Sequence, residues 1–304
     1  MIDVQAARER IAGRVLRTPL LRSDALGGVW LKAELLQKTG SFKARGALNR
    51  VLTLSGEEKR RGVVTWSAGN HAQAVAWAAR EEGVDCVVEM WASASAFKVE
   101  RARGYGATVD LSAPDPSAAY DRALELVERE GCVFVHPHSD PFVVAGHGTL
   151  ALELLEDLPE LEAVVVGVGG GGLVSGIVAA LDGRARVVAV EPERSPAFSA
   201  GLEAGRSVPV GTDTMADGLA PPFAGELPLE LCRGRVENVL VTEDEIANGM
   251  RFLYSQAKLA CEPAGAAALG AVLAGKVEAG PRVAVIVSGG NVEARKAAAI
   301  LDGQ

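Results

Sequence analysis

The feature that most constrains the fold is a regular alternation of short β-rich apolar runs with segments of helical periodicity. It begins near residue 60, and the apolar runs are VVTW, CVVEM, TVDLS, CVFVHP, AVVVG, VVAVE, NVLVT and VAVIV. Repeated βα units indicate parallel sheet with helices on both faces. The runs outnumber the strands of one mononucleotide-type sheet, and HPHSDP near residue 138 is a polar, proline-marked break. The sequence therefore predicts two α/β domains with a cleft between them.

Composition excludes several classes of protein. The chain has 304 residues, of which 48% are hydrophobic, and a formal net charge of −8. This acidic balance argues against nucleic acid or an anionic membrane as a partner, since either would favour a basic face. The four cysteines are widely spaced without a CxxC pair, which fits a reducing cytoplasm. We predict no signal peptide, because the start MIDVQAARERIAG is charged and amphipathic. We predict no transmembrane segment, because the uncharged stretch 163–181 is a glycine-rich strand-loop-helix pattern.

The segment AVVVGVGGGGLVSG, residues 163–176, predicts a buried strand, a bare glycine turn and the start of a helix. Such a turn directs backbone N–H groups and the positive end of a helix dipole at one point, which suits an anion. Taken alone, Gly167, Gly169 and Gly172 match the dinucleotide fingerprint GxGxxG, and Glu191 lies where a ribose-binding carboxylate is expected. An NAD-linked oxidoreductase is therefore one hypothesis, and a ligand-binding protein without enzyme activity is another.

A lysine near the N-terminus points to different chemistry. In LLQKTGSFKARGALNRVL, residues 35–52, we predict that Thr39, Gly40 and Ser41 cap a helix with Lys43 in its first turn. The positive dipole end disfavours an ammonium group, so the pKa of Lys43 should fall. A lysine that readily loses its proton can act as a base or form a Schiff base.

Six motifs in register carry a resemblance over nearly the whole chain: SFKARGA, SAGNHAQ, GGGGL, MADGLA, EPAGA and SGGN. In this order they resemble the fold-type II family of pyridoxal-phosphate enzymes, and within it the threonine/serine dehydratases and serine racemases. The resemblance implies a tryptophan synthase β-like α/β fold with two open, twisted, mostly parallel sheets and helices on both faces. On this basis we place a large cofactor domain at 1–47 plus 140–304 and a small domain at 48–139, with the active site in the cleft between them.

The resemblance also implies roles for individual residues. Lys43 would carry pyridoxal 5'-phosphate on its amine and act as the catalytic base. Asn70 would bind the ring hydroxyl, Ser288 would face the pyridine nitrogen, and Glu262 would lie near the ring or a cation shell. The remaining cofactor residues would be Phe42, Gly169, Gly170, Gly171, Gly172 and Leu173. The substrate carboxylate would be received by the loop Ser67, Ala68, Gly69, Asn70 and His71.

Within the family, the sequence favours a short, catabolic-type threonine dehydratase that converts L-threonine, and less well L-serine, to a 2-oxo acid and ammonia. Racemisation needs a second acid/base group on the opposite face of the substrate. Racemases that resemble this chain read SSGNH, whereas this chain has Ala68 at the second position. A methyl group cannot carry a proton, so racemisation stays the alternative. SGGN near residue 290 leaves about a dozen residues, so we expect no feedback through an appended regulatory domain.

Other expectations are less specific. Relatives that bind a divalent cation suggest Glu191 and Ser195 as ligands for magnesium or calcium, although Ala197 replaces their aspartate. We interpret His136, His138 and His147 as structural, and His71 as a residue that helps to cap its helix. The resemblance further suggests a cytoplasmic homodimer or homotetramer.

Overall fold

The computed structural model describes residues 2–303. Its strands are β1 (Leu20–Ser23), β2 (Val29–Lys32), β3 (Val63–Trp66), β4 (Cys86–Trp91), β5 (Thr108–Ala113), β6 (Val133–Phe134), β7 (Ala163–Gly167), β8 (Arg186–Pro192), β9 (Glu237–Val241) and β10 (Val283–Ile286). Its α-helices are α1 (Val4–Ile11), α2 (Lys43–Leu52), α3 (Gly56–Arg61), α4 (Asn70–Glu81), α5 (Ala96–Gly104), α6 (Pro116–Glu130), α7 (Pro141–Asp157), α8 (Gly172–Leu181), α9 (Ala197–Ala204), α10 (Glu226–Cys232), α11 (Glu243–Phe252), α12 (Pro263–Leu273) and α13 (Ala294–Asp302).

The strands form two sheets. The larger has the order β1-β2-β10-β7-β8-β9, and the smaller has the order β5-β4-β3-β6. Every pairing is parallel except that of β1 with β2. The predicted fold class, two mostly parallel sheets with helices, is therefore confirmed.

Helices cover both faces of each sheet. Along β7, Val165 packs into a core with α11 and α12, whereas Val164 and Val166 pack into a core with α7 and α8. In the smaller sheet, Val63 of β3 faces α2 and α4, and Val64 faces α6. This double coverage explains why the strands read as continuous apolar runs.

The antiparallel hairpin β1–β2 is the part of the larger sheet that the sequence analysis did not predict. Its register pairs Leu20 with Lys32 and Ser23 with Val29. On its other side β2 pairs in parallel with β10, with Trp30 opposite Ala284. The N-terminal segment thus extends the larger sheet from its β10 edge.

The predicted domain boundaries stay a prediction, but the strands group in the same way. The smaller sheet lies within 48–139, and every strand of the larger sheet lies outside that range. Helix α2 runs across the predicted boundary at residue 47, and its Ala44, Ala47 and Leu48 all pack into the core beneath the smaller sheet. Helix α2 therefore belongs to the contact between the two parts.

A buried cluster of charges fixes α2 on its other side. Arg45 donates two hydrogen bonds to Glu34, both of 2.8 Å, and two to Glu153 of α7, of 2.7 and 3.1 Å. Lys32 donates to the second oxygen of Glu153 at 2.5 Å, and Thr18 donates to Glu34. Two cations and two anions balance here, and burial without such pairing would be costly. The cluster ties α2 to β2, to the turn after β2 and to α7.

Glycine allows α2 and α7 to approach closely. A Cβ atom added to Gly146 of α7 would lie 2.5 Å from the Arg45 carbonyl oxygen and 2.7 Å from the Gly46 Cα. A Cβ added to Gly46 would lie 2.3 Å from the His147 ring. Backbone atoms cannot move aside as a side chain can, because the whole helix would have to shift. This crossing therefore requires glycine on both helices.

The structure bears on two further expectations. Within residues 2–303, no helix combines the length and the apolar character that a membrane crossing needs. The four cysteines are free and buried. Burial raises the pKa of Cys86, Cys232 and Cys261 to about 12, so these thiols stay protonated at neutral pH.

We predict that Gly146→Ala lowers the free energy of unfolding by about 1–3 kcal/mol or more, because the new methyl group meets backbone atoms. Gly104→Ala in α5 is the matched control, since nothing lies within 4 Å of its added Cβ. That variant should be neutral or more stable by up to about 1 kcal/mol. Urea unfolding of both variants measures the difference. Equal stability of the two would show that the helix crossing is not tight.

Candidate active site

Lys43 is the first residue of α2, and its surroundings come from several elements. The Phe42 amide donates to the Ser288 carbonyl oxygen at 3.1 Å, and Ser41 forms a β-bridge with Gly289. Lys43 Nζ donates to the carbonyl oxygen of Pro137 at 2.7 Å. Burial lowers the pKa of Lys43 to about 8. The sequence predicted the direction of this shift from the helix dipole, but desolvation is its cause.

The predicted cap of α2 is wrong in detail. Phe42 occupies the N-cap position without a side-chain hydrogen bond. Thr39 instead lies inside a short 3-10 turn with a φ of 61°, and the Thr39 and Ser41 hydroxyl oxygens are buried without a hydrogen-bond partner among residues 2–303. The TGS segment therefore shapes the chain's approach to Lys43 rather than capping the helix.

The glycine loop follows β7 and leads into α8. Gly171 has a φ of 93°, which favours glycine. Within the described range, the amides of Gly169, Gly170 and Gly171 donate to no protein acceptor. A Cβ on Gly170 would lie 2.3 Å from His138 Nδ1, and one on Gly172 would lie 2.9 Å from the His138 Cα. The loop is thus a set of free donors at a helix N-terminus, with His138 packed against it.

The loop Ser67–His71 follows β3 and leads into α4. Ser67 Oγ accepts a hydrogen bond from the Gly69 amide at 3.1 Å. His71 Nε2 lies 3.0 Å from the Val135 carbonyl oxygen, so this nitrogen carries the proton. Burial holds the pKa of His71 well below its usual value, and the nearby Lys43 charge adds to the effect. Ala68 is partly buried and packs against the core beneath the smaller sheet.

A chain of polar side chains joins this loop to the end of β10. Asn70 Nδ2 donates to Glu262 Oε1 at 2.6 Å, and Asn291 Nδ2 donates to Asn70 Oδ1 at 2.7 Å. Asn291 also donates to the Thr39 carbonyl oxygen at 2.7 Å. Burial, with the Asp217 charge as a second cause, raises the pKa of Glu262 to about 8. Asn70 is therefore held in place by two partners.

Sequence reasoning placed the SGGN motif at the site but gave Asn291 no role. It also interpreted His136, His138 and His147 as structural, whereas the structure places each near enough to Lys43 for the lysine charge to lower its pKa. For His136 and His138 a signal was available. HPHSDP follows β6, and the carboxyl ends of parallel strands are where ligands bind.

The expected cation ligands do not join this group. Glu191 accepts hydrogen bonds from the Phe198 and Ser199 amides, at 2.7 and 2.8 Å, at the start of α9. Burial raises the pKa of Glu191 to about 7, and Ser195 Oγ is buried without a partner among residues 2–303. Over the same range, no three His, Cys, Asp or Glu side chains are grouped as a metal site. Glu191 instead holds α9, whose Phe198 ring packs close to Gly171. The structure does not support the cation.

The residues present fit pyridoxal phosphate. Free amides at a helix N-terminus suit a phosphate monoester. A buried amine with a lowered pKa suits an aldehyde. Asn70 supplies an amide and the buried Ser288 supplies a hydroxyl, and both groups suit the polar atoms of the cofactor ring.

Comparison with known proteins supports this fit. The model of the family described as "Pyridoxal-phosphate dependent enzyme" matches residues 11–289. The chain belongs to this family. The assignment replaces the dinucleotide interpretation of the glycine loop.

The relatives within the family include lyases and racemases. The chain is 44% identical to the L-threonine ammonia-lyase of Thermotoga maritima, covering 96% of this chain and 75% of the relative. It is 39% identical to the catabolic L-threonine dehydratase of Escherichia coli, covering 96% and 92%. Among solved structures, a threonine deaminase from T.th. has a TM-score of 0.89 at 39% identity, covering 96% and 98%. Maize serine racemase has a TM-score of 0.90 at 34% identity, covering 96% and 93%.

The lowered pKa of Lys43 predicts the reactivity of the cofactor-free protein. Its pKa of about 8 means that half of the amine is neutral near that pH, whereas an ordinary lysine reaches this point near about 10.4. The rate of Lys43 acylation, followed by peptide mass spectrometry, should therefore increase with pH along a titration curve whose midpoint lies near pH 8. A lysine-containing model peptide is the control. A midpoint for Lys43 equal to that of the peptide would contradict the burial of the amine.

Proposed function

We propose that this protein is a pyridoxal-phosphate-dependent threonine ammonia-lyase. It would convert L-threonine to 2-oxobutyrate and ammonia, and L-serine less well to pyruvate and ammonia. The carrying observation is a set of contacts around one buried amine. Lys43 Nζ donates to Pro137, and the ring of the next residue, His138, packs against the free-amide glycine loop. On the other side, Ser41 pairs with Gly289, which lies against the Asn70–Glu262 pair. Relatives named for threonine deamination, at 39% and 44% identity, support the substrate.

The cofactor residues follow from this arrangement. The amides from Gly169 to Leu173 would hold the phosphate, each charge-assisted hydrogen bond contributing on the order of 1.5–3 kcal/mol. Lys43 would bind the aldehyde carbon, and Ser288 would meet the ring nitrogen. Phe42 and Glu262 would flank the ring. Because Glu262 and Asn291 already fix the Asn70 side chain, its amide would meet the ring hydroxyl in one orientation.

When bound, the cofactor supplies an electron sink. The protein handles the proton. The amine of Lys43, when it is not bonded to the cofactor, would be the base that accepts the proton of the substrate α-carbon. A base is most effective when its pKa lies near the working pH, and burial has brought the pKa of Lys43 to about 8.

The Ser67–His71 loop would hold the substrate carboxylate. Ser67 and the free end of α4 offer a hydroxyl and backbone N–H groups, which suit an anion. Holding the carboxylate fixes which substituent of the α-carbon points at Lys43. Loss of the α-proton and of the β-hydroxyl then yields an enamine, whose tautomerisation and hydrolysis give the 2-oxo acid and ammonia.

Serine racemisation is the second candidate, because plant and slime-mould serine racemases share the fold at TM-scores of 0.90 and 0.88. Ala68 argues against it. Position 68 carries no hydroxyl that could serve as the second acid/base group, so racemisation would depend on water and would be minor. Elimination is then the favoured outcome.

The expected homodimer or homotetramer, and the cytoplasmic location, stay predictions that rest on family resemblance. Analytical ultracentrifugation of the purified holoenzyme determines the oligomeric state.

We predict that the purified protein with pyridoxal phosphate absorbs near the violet edge of the visible spectrum and releases equimolar 2-oxobutyrate and ammonia from L-threonine. Lys43→Ala should abolish the band and lower kcat by at least about a thousandfold, since the base is lost. Lys38→Ala, an exposed lysine on the preceding turn, is the control and should stay within about twofold of wild type. A colourless wild-type protein that binds NADH instead would refute the proposal.

We also predict that Ala68→Ser raises the rate of D-serine formation from L-serine by on the order of tenfold or more, because it supplies the missing hydroxyl. Chiral chromatography of the products measures both enantiomers. Ala68→Gly is the control, since it changes the side chain without adding a hydroxyl. Predominant D-serine production by the wild-type protein would show that Ala68 does not prevent racemisation.

A further inference from the structure

Six aromatic and imidazole side chains form a continuous wall beside Lys43, which we call the aromatic wall. Five of them close a ring of contacts, with centroid separations of 5.0, 6.4, 4.6, 6.4 and 6.3 Å. The sixth touches two of the others at 5.9 and 5.5 Å. In order around the ring, the members are Trp66, Tyr120, His136, His138 and Phe223, with Phe134 as the sixth.

The wall connects the two loops that we assign to the substrate and the phosphate. Trp66 ends β3 and directly precedes Ser67. At the other end, the His138 ring packs against Gly170. Lys43 Nζ donates to the carbonyl oxygen of Pro137, which lies between two members of the wall. A substrate held at Lys43 with its carboxylate on the Ser67–His71 loop therefore lies beside the wall.

The Phe42 ring also lies near Lys43, with its centroid 5.2 Å from Nζ, and the proposed function assigns this ring to the cofactor. The other groups that we assign around Lys43 are polar. The glycine loop offers amides, and the opposite side offers Asn70, Ser288 and Glu262. The cofactor phosphate, the cofactor ring and the substrate carboxylate account for these groups in the proposed function. The wall is then the apolar surface to which the proposed function assigns no ligand group. The substrate's β-substituent is the ligand group that has no assigned partner.

The wall also carries polar atoms that no protein group satisfies. Trp66 is 7% exposed and His138 is 5% exposed, yet Trp66 Nε1 and His138 Nε2 are buried without a partner among residues 2–303. A buried polar atom left unpaired costs about 1–3 kcal/mol. Both atoms lie inside the wall without exposed surface, so a hydroxyl group of a ligand reaches them only if a side chain of the wall moves.

The two histidines of the wall are uncharged at neutral pH. Burial lowers the pKa of His136 to about 4 and holds the pKa of His138 well below its usual value, and the Lys43 charge contributes to both. Neutral rings offer no counter-charge to a carboxylate on the substrate side chain. The wall thus disfavours acidic β-substituents.

We propose that the aromatic wall is the β-substituent pocket and selects 2-amino-3-hydroxy acids with an apolar β-substituent: threonine over serine, with room for larger alkyl or aryl groups, and against acidic ones. This inference rests on the proposed function and names its substrate class. Phe223 is the specificity-determining member to test. It comes from the loop before α10, far along the chain from the other members, and contacts Trp66 and His138.

The test uses the holoenzyme and L-amino acids that have no β-hydroxyl and so cannot eliminate: L-alanine, L-2-aminobutyrate, L-norvaline and L-aspartate. Their dissociation constants are measured from the change in visible absorption of the bound cofactor. Each added methylene should tighten binding about fourfold in the wild-type protein. L-Aspartate should bind on the order of tenfold more weakly than L-2-aminobutyrate.

We call the gain in affinity per added methylene the gradient. Phe223→Ala should reduce this gradient to below about twofold per methylene, while the dissociation constant for L-alanine should stay within about twofold of wild type. It should also lower the ratio of kcat/KM for L-threonine to that for L-serine by on the order of tenfold. Phe223→Leu, which removes less volume, gives an intermediate result if the alanine variant does not fold. Phe142→Ala, an exposed phenylalanine outside the wall, is the matched control and should keep the gradient.

A flat gradient in the wild-type protein, or a gradient that survives Phe223→Ala, overturns the inference and leaves the wall as packing between the two sheets. These outcomes differ from failure of the proposed function. If threonine is deaminated without a gradient, only the pocket assignment fails. If the gradient is present but no 2-oxo acid forms from threonine or serine, the reaction is wrong and the pocket stands.

Discussion

The buried guanidinium of Arg45 is the constraint on which the active-site geometry depends. It binds Glu34 through two hydrogen bonds and Glu153 through two more, and Lys32 balances the remaining charge. A buried ion pair of this kind adds little net stability compared with apolar packing, but removing one partner leaves an uncompensated charge. Its effect is therefore to specify position. Lys43 lies two residues before Arg45 on the same helix, so the cluster fixes the position of the backbone that carries the reactive amine.

The glycine contacts between α2 and α7 act together with this cluster. Hydrogen bonds fix the angle of α2, and the absence of side chains at Gly46 and Gly146 fixes its distance from α7. Asp140 is the N-cap residue of α7, and its carboxylate accepts hydrogen bonds from the Phe142 and Val143 amides. The segment before it carries Pro137 and His138, which contact Lys43 and the glycine loop. One helix crossing thus positions both the amine and the wall beside it.

Local patterns predicted most of the fold and the separate pieces of the site. The βα alternation was visible because buried parallel strands are continuous apolar runs. The hairpin β1–β2 was missed, since LLRS and VWLK are short and have no regular alternation. The aromatic wall and the Asn70–Asn291 bond were also missed. Their members are far apart in the chain, and only the packing of the two sheets brings them together.

The order of strands in the larger sheet has a consequence for synthesis of the chain. Strand β2 lies between β1 and β10. The hydrogen bonds that pair β2 with β10, where Trp30 lies opposite Ala284, can therefore form only after β10 has been synthesised. All four strands of the smaller sheet leave the ribosome before β7 does. Domains generally fold as units during translation, and long-range pairing closes slowly. The smaller sheet can therefore assemble first, while the N-terminal hairpin stays an unpaired edge until the last strand is made.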